Sequence, residues 1–447
     1  MAGYAPHTEA EIRTMLEFLG LESLDDLFDA VPAALRLAGG LDLPAGLPEP
    51  DALGLMEDYA SANRPCGRDL VCFAGGGAYD HEVPPVTRAL ASRSEFVTSY
   101  TPYQPEVAQG VLQAVFEFQT LLARLSGVPV ANASLYDGAA AVVEAVNLGT
   151  AAAGRQGVLV SAGLNPTWRS VLETFAAGTG HELETVPLRD GVSDWEAASE
   201  AQPGAVVVAY PNYLGCLEDV AAARALCDRT GALLVVAFDP VCAGILRSPG
   251  EWGADVVVGE GQALGMPLGF GGPYLGLFAC TQAHVRRLPG RLVGETVDAE
   301  GRRAYVTTLR AREQDIRREK ATSNVCTNQT LMAVTAAIQL GWLGTSGIAE
   351  IALRSARGAR YCRDALLSVP GVTPLAGAPI VREFALHLPV PAELVVDRLV
   401  EEGFLAGIAL EAGYTGGDDR GLLVAVTERR TRDEIDAFAA ALDKAVR

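Results

Sequence analysis

Apolar residues along this chain recur with two different periods, and the change from one to the other divides it into parts. In residues 106–127, Val107, Val111, Val115, Gln119 and Leu122 return every three to four positions, which predicts a helix that Gly127 ends. Residues 137–152 predict a second helix. Then come short, unbroken apolar runs at 157–161, 205–210, 232–239, 254–259 and 274–280, with helical stretches at 167–178 and 219–231 between them. Continuous β-branched runs separated by helices predict a mostly parallel sheet covered on both faces. Residues 286–320 break the alternation. Helices at about 328–343 and 346–368 then lead into a smaller unit, with strands at 380–388 and 421–426 and helices at 392–402 and 432–446. Before the large domain, Thr8 followed by Glu11 is a capping-box pattern opening a helix over 8–20, and the Pro- and Leu-rich stretch 41–50 reads as a connector. The expected organisation is an N-terminal arm (1–65), a large α/β domain (66–327) and a small C-terminal α/β domain (328–447), with no internal repeat.

Composition narrows the function classes. The chain has 447 residues, 49% hydrophobic and 20% charged, an ordinary globular balance. Its net charge of −20 argues against a nucleic-acid partner, which needs clustered positive charge. No basic start leads into an apolar run, and no uninterrupted apolar stretch reaches about 18 residues, so a cytoplasmic protein away from membranes is expected. The eight cysteines form no CxxC pair and the five histidines do not cluster near them, so free thiols are expected rather than a metal site. Lysine is the unusual count: Lys320 and Lys444 stand against 33 arginines.

Four segments have candidate chemistry. Asp239 falls at the carboxyl end of a buried run, where ligands bind in open α/β sheets. In vitamin B6 enzymes of that architecture such an Asp pairs with the pyridine nitrogen, and its alternative role is to cap the next turn. The loop 132–138 (NASLYDG) opens a helix, whose free amides suit a phosphate with Ser134 assisting, but Asp137 puts a carboxylate at the same end that would repel a phosphate and reads better as a cap. Residues 259–276 are rich in glycine after a strand, where a vitamin B6 enzyme needs a lysine; Gln262 and Ala263 stand there instead. The stiff segment 100–106 (YTPYQPE) bears two phenols and a carboxylate, suited either to a site edge or to a rigid turn.

Several of these segments carry a resemblance. Residues 73–86 (FAGGGAYDHEVPPV), 99–120, 131–145, 259–276 and the long 288–328 stretch resemble the glycine cleavage system P-protein, and the resemblance runs over nearly the whole chain. The length resembles the alpha half of that family's split form. The resemblance implies the fold-type I, aminotransferase-like fold of pyridoxal-phosphate-dependent transferases, with a large mostly parallel sheet domain and a small C-terminal α/β domain. It implies an oxidoreductase that decarboxylates glycine and transfers the aminomethyl group to the lipoyl arm of H-protein, releasing CO2. A beta subunit would hold the pyridoxal phosphate and its Schiff-base lysine within an α2β2 assembly, and this chain would not bind the cofactor covalently.

The candidate site residues follow from the same resemblance together with position and charge. Tyr100, Tyr103 and Glu106 would line the partner's site, with Thr101 and Gln104 beside substrate or partner. Ser134 and Asp239 would be vestigial cofactor contacts. In the basic stretch, Arg302 and Arg303 would either dock an acidic H-protein or pair internally with Glu295, Glu313 and Glu319. The competing readings are a stand-alone pyridoxal-phosphate aminotransferase or decarboxylase, which needs a lysine near residue 260, and a non-catalytic structural or regulatory module.

Overall fold

The computed structural model describes residues 6–37, 39, 41–98, 102, 104–198, 201–309, 321 and 323–447. The chain separates into two compact units, Met1–Arg64 and Pro65–Arg447. In the first, α1 (Glu9–Leu19) opens on the capping box: Thr8 Oγ1 accepts the Glu11 amide, and Glu11 reaches back to the Thr8 amide at 2.7 Å. A second helix, α2, spans Glu49–Ser61. This unit leaves Phe18 90% exposed and buries Leu16, so it has little core of its own.

The second unit is built on a seven-stranded sheet. Its strands in chain order are β1 (Val130–Ala131), β2 (Gly157–Ser161), β3 (Glu182–Val186), β4 (Ala205–Tyr210), β5 (Leu233–Phe238), β6 (Val256–Glu260) and β7 (Gly276–Cys280). Their order across the sheet is β1-β7-β6-β5-β4-β2-β3. The run from β3 to β6 is parallel, and β7 is antiparallel to both its neighbours. The valines of β4 alternate between two apolar clusters: Val206 and Val208 face one, Val207 the other. Helices therefore cover both faces, as a strand without polar alternation requires.

The helices on this sheet are α3 (Gln109–Ser126), α4 (Gly138–Ala153), α5 (Pro166–Thr179) and α6 (Val220–Thr230). All four end on a glycine in the left-handed conformation, from Gly127 (φ 74°) to Gly231 (φ 69°). The stretch expected to break the alternation forms a hairpin, β8 (Leu292–Val297) with β9 (Arg303–Thr308), before residues 310–320, which lie outside the description.

Helix α7 (Thr330–Leu367) joins the sheet to the small unit and breaks at Gly344 (φ 60°, ψ −173°), between the two helices the sequence predicts. It is long and apolar enough on paper to cross a membrane. The break leaves a first straight piece of roughly 21 Å at 1.5 Å per residue, short of a hydrocarbon core of about 30 Å. Its Ala333, Ala336 and Leu340 also sit in the sheet's own core.

The small unit is a four-stranded antiparallel sheet, β10 (Thr373–Pro374), β11 (Glu383–His387), β12 (Ile408–Ala409) and β13 (Gly421–Ala425), in the order β10-β11-β13-β12. Helices α8 (Ala392–Glu401) and α9 (Arg432–Ala445) pack on it through a cluster that includes Phe384, Val395, Leu399, Phe438 and Leu442.

Candidate functional site

The carboxyl ends of β4, β5 and β6 open onto a cavity of about 70 Å³, lined among others by Tyr79, Trp168, Asp239, Glu260, Arg382 and Glu383. Open parallel sheets bind ligands at these strand ends. Asp239 follows β5 directly. Its Oδ1 accepts the Val241 amide at 2.9 Å, as a turn cap would, and its Oδ2 pairs with Arg382 Nη2 at 2.5 Å. The capping role expected of this Asp is present, and an arginine is its cationic partner.

Arg382 is 4% exposed and immediately precedes β11. Its guanidinium stacks on the Tyr79 ring, 3.4 Å from the centroid. Burial works against its charge, but Asp239 together with Tyr79, Cys242 and Glu383 offsets that and raises its pKa. Arg382 Nη1 donates to His81 Nε2. An arginine only donates, so the His81 proton sits on Nδ1 and points to Glu428 Oε2 at 2.6 Å. For Glu428, burial pushes the pKa up, and the hydrogen bond and charge of His81 together with the Glu82 amide and its own amide leave the value lowered.

Beside Arg382, Glu383 Oε1 accepts the Gly76 amide at 2.6 Å and Oε2 the Tyr79 hydroxyl at 2.9 Å. Burial raises Glu383 to about 7 against those hydrogen bonds.

The second end of the cavity is the N-terminus of α4. Asp137 Oδ1 caps it through the Ala140 amide at 2.7 Å. Glu260, the last residue of β6, accepts the Gly138 amide at 2.9 Å on one oxygen and the Gln262 and Leu275 amides at 2.9 and 2.8 Å on the other. Burial raises Glu260 to about 7 against these three amides.

A fold of this kind implies pyridoxal phosphate, and the residues present do not fit it. The cavity is far below the roughly 300–1,000 Å³ of a small-molecule site. Two carboxylates hold the helix end where a phosphate would lie. No lysine lines the cavity among the described residues: Ala263 does, Lys444 lies on α9 within 3.5 Å of Glu402, and Lys320 is outside the description.

Of the other expected site residues, those described do not line this cavity. Ser134 (φ 112°) is buried, and its hydroxyl accepts the Gln329 amide at 3.2 Å and Asn328 Nδ2 at 3.1 Å, stitching the α4 loop to the start of α7. Tyr100, Thr101 and Tyr103 lie outside the described residues. Gln104 and Glu106 are exposed, the latter in a short 3-10 turn, Pro105–Val107. Arg302 and Arg303 sit at the turn of the β8–β9 hairpin. Arg302 pairs with Asp298 at 2.7 Å and Glu300 at 2.6 Å, and exposed Arg303 lies over the Tyr305 ring at 5.8 Å; of the carboxylates expected from sequence, Glu313 and Glu319 lie outside the described residues. Sequence reasoning missed Tyr79, Glu260, Arg382 and Glu383. Tyr79 and Glu260 stand inside motifs quoted for their resemblance; Arg382 and Glu383 carry no local signal.

Comparison with known proteins completes the description. The family model described as glycine cleavage system P-protein matches residues 2–442. A Moorella thermoacetica protein named probable glycine dehydrogenase (decarboxylating) subunit 1 is 47% identical over 442 residues, covering 98% of each chain. A Chlorobium chlorochromatii protein of the same name is 47% identical over 439 residues, covering 97% of this chain and 98% of the other. Among solved structures, an inhibitor-bound glycine decarboxylase (P-protein) of the glycine cleavage system superposes with a TM-score of 0.91 at 46% identity, covering 99% of this chain and 100% of that one. A NifS-like protein from Rickettsia africae superposes at 0.63 with 12% identity over 84% of this chain and 99% of that one. At that identity the likeness shows the fold alone, the fold-type I architecture.

Proposed function

The chain belongs to the glycine cleavage system P-protein family, and from that we propose that it is subunit 1 of a glycine dehydrogenase (decarboxylating), the half whose own strand-end cleft holds no cofactor. With a partner subunit it decarboxylates glycine. We further propose that the partner is the beta subunit, that the two form an α2β2 assembly, and that the aminomethyl group passes to the lipoyl arm of H-protein. Pyridoxal phosphate, when bound on the partner, supplies the electron sink for loss of CO2.

The observation that supports the division of labour is the cavity at Asp239. Arg382 already neutralises the carboxylate that would face a pyridine nitrogen, and Ala263 stands in the glycine-rich turn after β6. The contribution of this chain is then positional. Tyr100, Tyr103 and Glu106 line the glycine or lipoyl end of the partner's pocket, with Thr101 and Gln104 beside them, held stiff by Pro102 and Pro105. Arg303, exposed at a hairpin tip, supplies positive charge for an acidic H-protein, a role in which Arg302 is muted by its two carboxylates. Buried free thiols such as Cys72, Cys227 and Cys362 support a reducing, cytoplasmic setting.

Glycine-dependent exchange of labelled CO2 tests the reading. The chain and its partner together are expected to exchange, and neither alone. Exchange by this chain alone with added pyridoxal phosphate would favour a stand-alone enzyme. Undiminished exchange by the partner alone would favour a structural module.

A further inference from the structure

The cleft at the strand ends is filled by the protein's own charges, and each charge has a chemical counterpart in the cofactor that the fold implies. At one end, the amides of Gly138, Gln262 and Leu275 converge on Glu260, from the start of α4, the turn after β6 and the approach to β7. Three amides around one anion, one of them from a helix N-terminus, is the arrangement that binds phosphate. Here the anion is a side chain, with Asp137 beside it. The indole of Trp168 closes the same corner: a Cβ placed on Gly138 would meet Trp168 Cζ2 at 2.3 Å.

At the other end, Asp239 faces the Arg382 guanidinium. A guanidinium offers the two features that a protonated pyridine offers, a flat cationic face to stack and an in-plane N–H to donate. Tyr79 takes the face at 3.4 Å and Asp239 the edge at 2.5 Å.

Arg382 and Glu383 are consecutive and lead the small sheet. Arg382 binds Asp239 of the large sheet and His81, while Glu383 binds Gly76 and Tyr79. Two adjacent side chains thus tie β11 to the end of β5 and to the 76–81 loop.

We propose that Glu260 and Arg382 are built-in replacements for the phosphate and pyridinium ends of a phosphorylated pyridine cofactor, so that this cleft is a permanent latch between the two sheets instead of a ligand site. The inference rests on the cleft's geometry and not on the reaction; loss of CO2 exchange in the complex would leave it standing.

The test uses the full-length chain with inorganic phosphate, pyridoxal phosphate and methylguanidinium as probes. Trp168 fluorescence and the melting temperature are the readouts. The wild-type chain is expected to show no saturable response to any of the three. Glu260→Ala leaves three amides converging on an empty corner, and millimolar phosphate is expected to raise its melting temperature by a few degrees and shift Trp168 emission, by mass action on the folded state. Arg382→Ala leaves Asp239 buried without its cation; it is expected to melt several degrees lower and to recover part of the loss in methylguanidinium but not in sodium chloride of equal strength. The Arg382→Ala arm stands by itself if Glu260→Ala does not fold. Saturable phosphate or pyridoxal phosphate binding by the wild-type chain would overturn the proposal. So would a folded Glu260→Ala chain blind to phosphate, or an Arg382→Ala chain as stable as wild type or unresponsive to methylguanidinium.

Discussion

The Tyr79 hydroxyl donates to Glu383 at 2.9 Å inside a cleft where burial has raised both groups, the carboxyl to about 7 and the phenol well above its ordinary value. A carboxyl whose pKa is higher folded than unfolded binds its proton more tightly in the native state. Below pH 4.5 both states carry that proton, and between 4.5 and about 7 the folded state alone keeps it. In that window each pH unit removes about 1.4 kcal/mol from the stability this group lends. Above it the loss is complete. Glu383→Gln removes the titration and retains a carbonyl for one of the two hydrogen bonds. The melting temperature of Glu383→Gln should therefore fall less than that of the wild type between pH 5 and 7. Parallel pH profiles for the two proteins would exclude Glu383 as the source.

Helix α3 holds the β8–β9 hairpin through two glutamines that act as strand edges. Gln119 donates to the Val293 carbonyl at 3.0 Å and accepts its amide at 2.9 Å. Gln109 does the same for Tyr305, at 2.9 and 2.8 Å. Gln119→Ala strands a buried amide and a buried carbonyl, at about 1–3 kcal/mol each. Hydrogen exchange at the Val293 amide should accelerate ten- to a hundredfold or more, with residues of the central strand β4 much less affected. Uniform acceleration across the sheet would point instead to global destabilisation.

Local rules make much of this architecture readable in the sequence. Thr8 with Glu11, and glycines such as Gly127 and Gly231, marked helix ends because a cap or a left-handed terminator acts within one turn. The valine runs of β4 and β5 were readable because strands covered on both faces exclude polar residues. The edge strand β3 (ELETV) was not: it is largely exposed, and exposed strands lose that signature. The hairpin was hidden because its arginines gather at a solvent-facing turn. The cleft was half legible. Asp239 announced itself by its place after a strand, but Arg382, its partner, is 143 positions away in sequence, and no periodicity links them. Glu260 was masked by its glycine neighbours, since its function depends on amides from three separate segments.

Charge at the hairpin tip separates two arginines that look equivalent in sequence. Arg302 is already matched by Asp298 and Glu300, whereas Arg303 projects its charge over Tyr305 without a carboxylate partner among the described residues. If the tip steers an acidic H-protein, Arg303→Glu should slow association several-fold at low salt and flatten its dependence on ionic strength, and Arg302→Glu should do less. Stopped-flow association over a salt series measures both. Equal, salt-independent rates would leave the tip as a structural feature only.

If the segment at residues 100–106 reaches the partner's pocket, Glu106 is a group through which it would act there, since this chain leaves Glu106 exposed. Glu106 is exposed on a short 3-10 turn that Pro105 begins, so Glu106→Gln should leave the melting temperature of the chain alone within about 1 °C. If its carboxylate faces the partner's pocket, the same substitution should lower the turnover of the reconstituted complex tenfold or more, a loss of about 1.4 kcal/mol or greater. Tyr103→Phe removes one hydroxyl and should act in the same direction, more weakly if that hydroxyl contacts substrate through water. A fall in kcat with unchanged stability and unchanged subunit association assigns the segment to the partner's site. An unchanged kcat in both variants, or a loss that follows weakened association, assigns it to the interface.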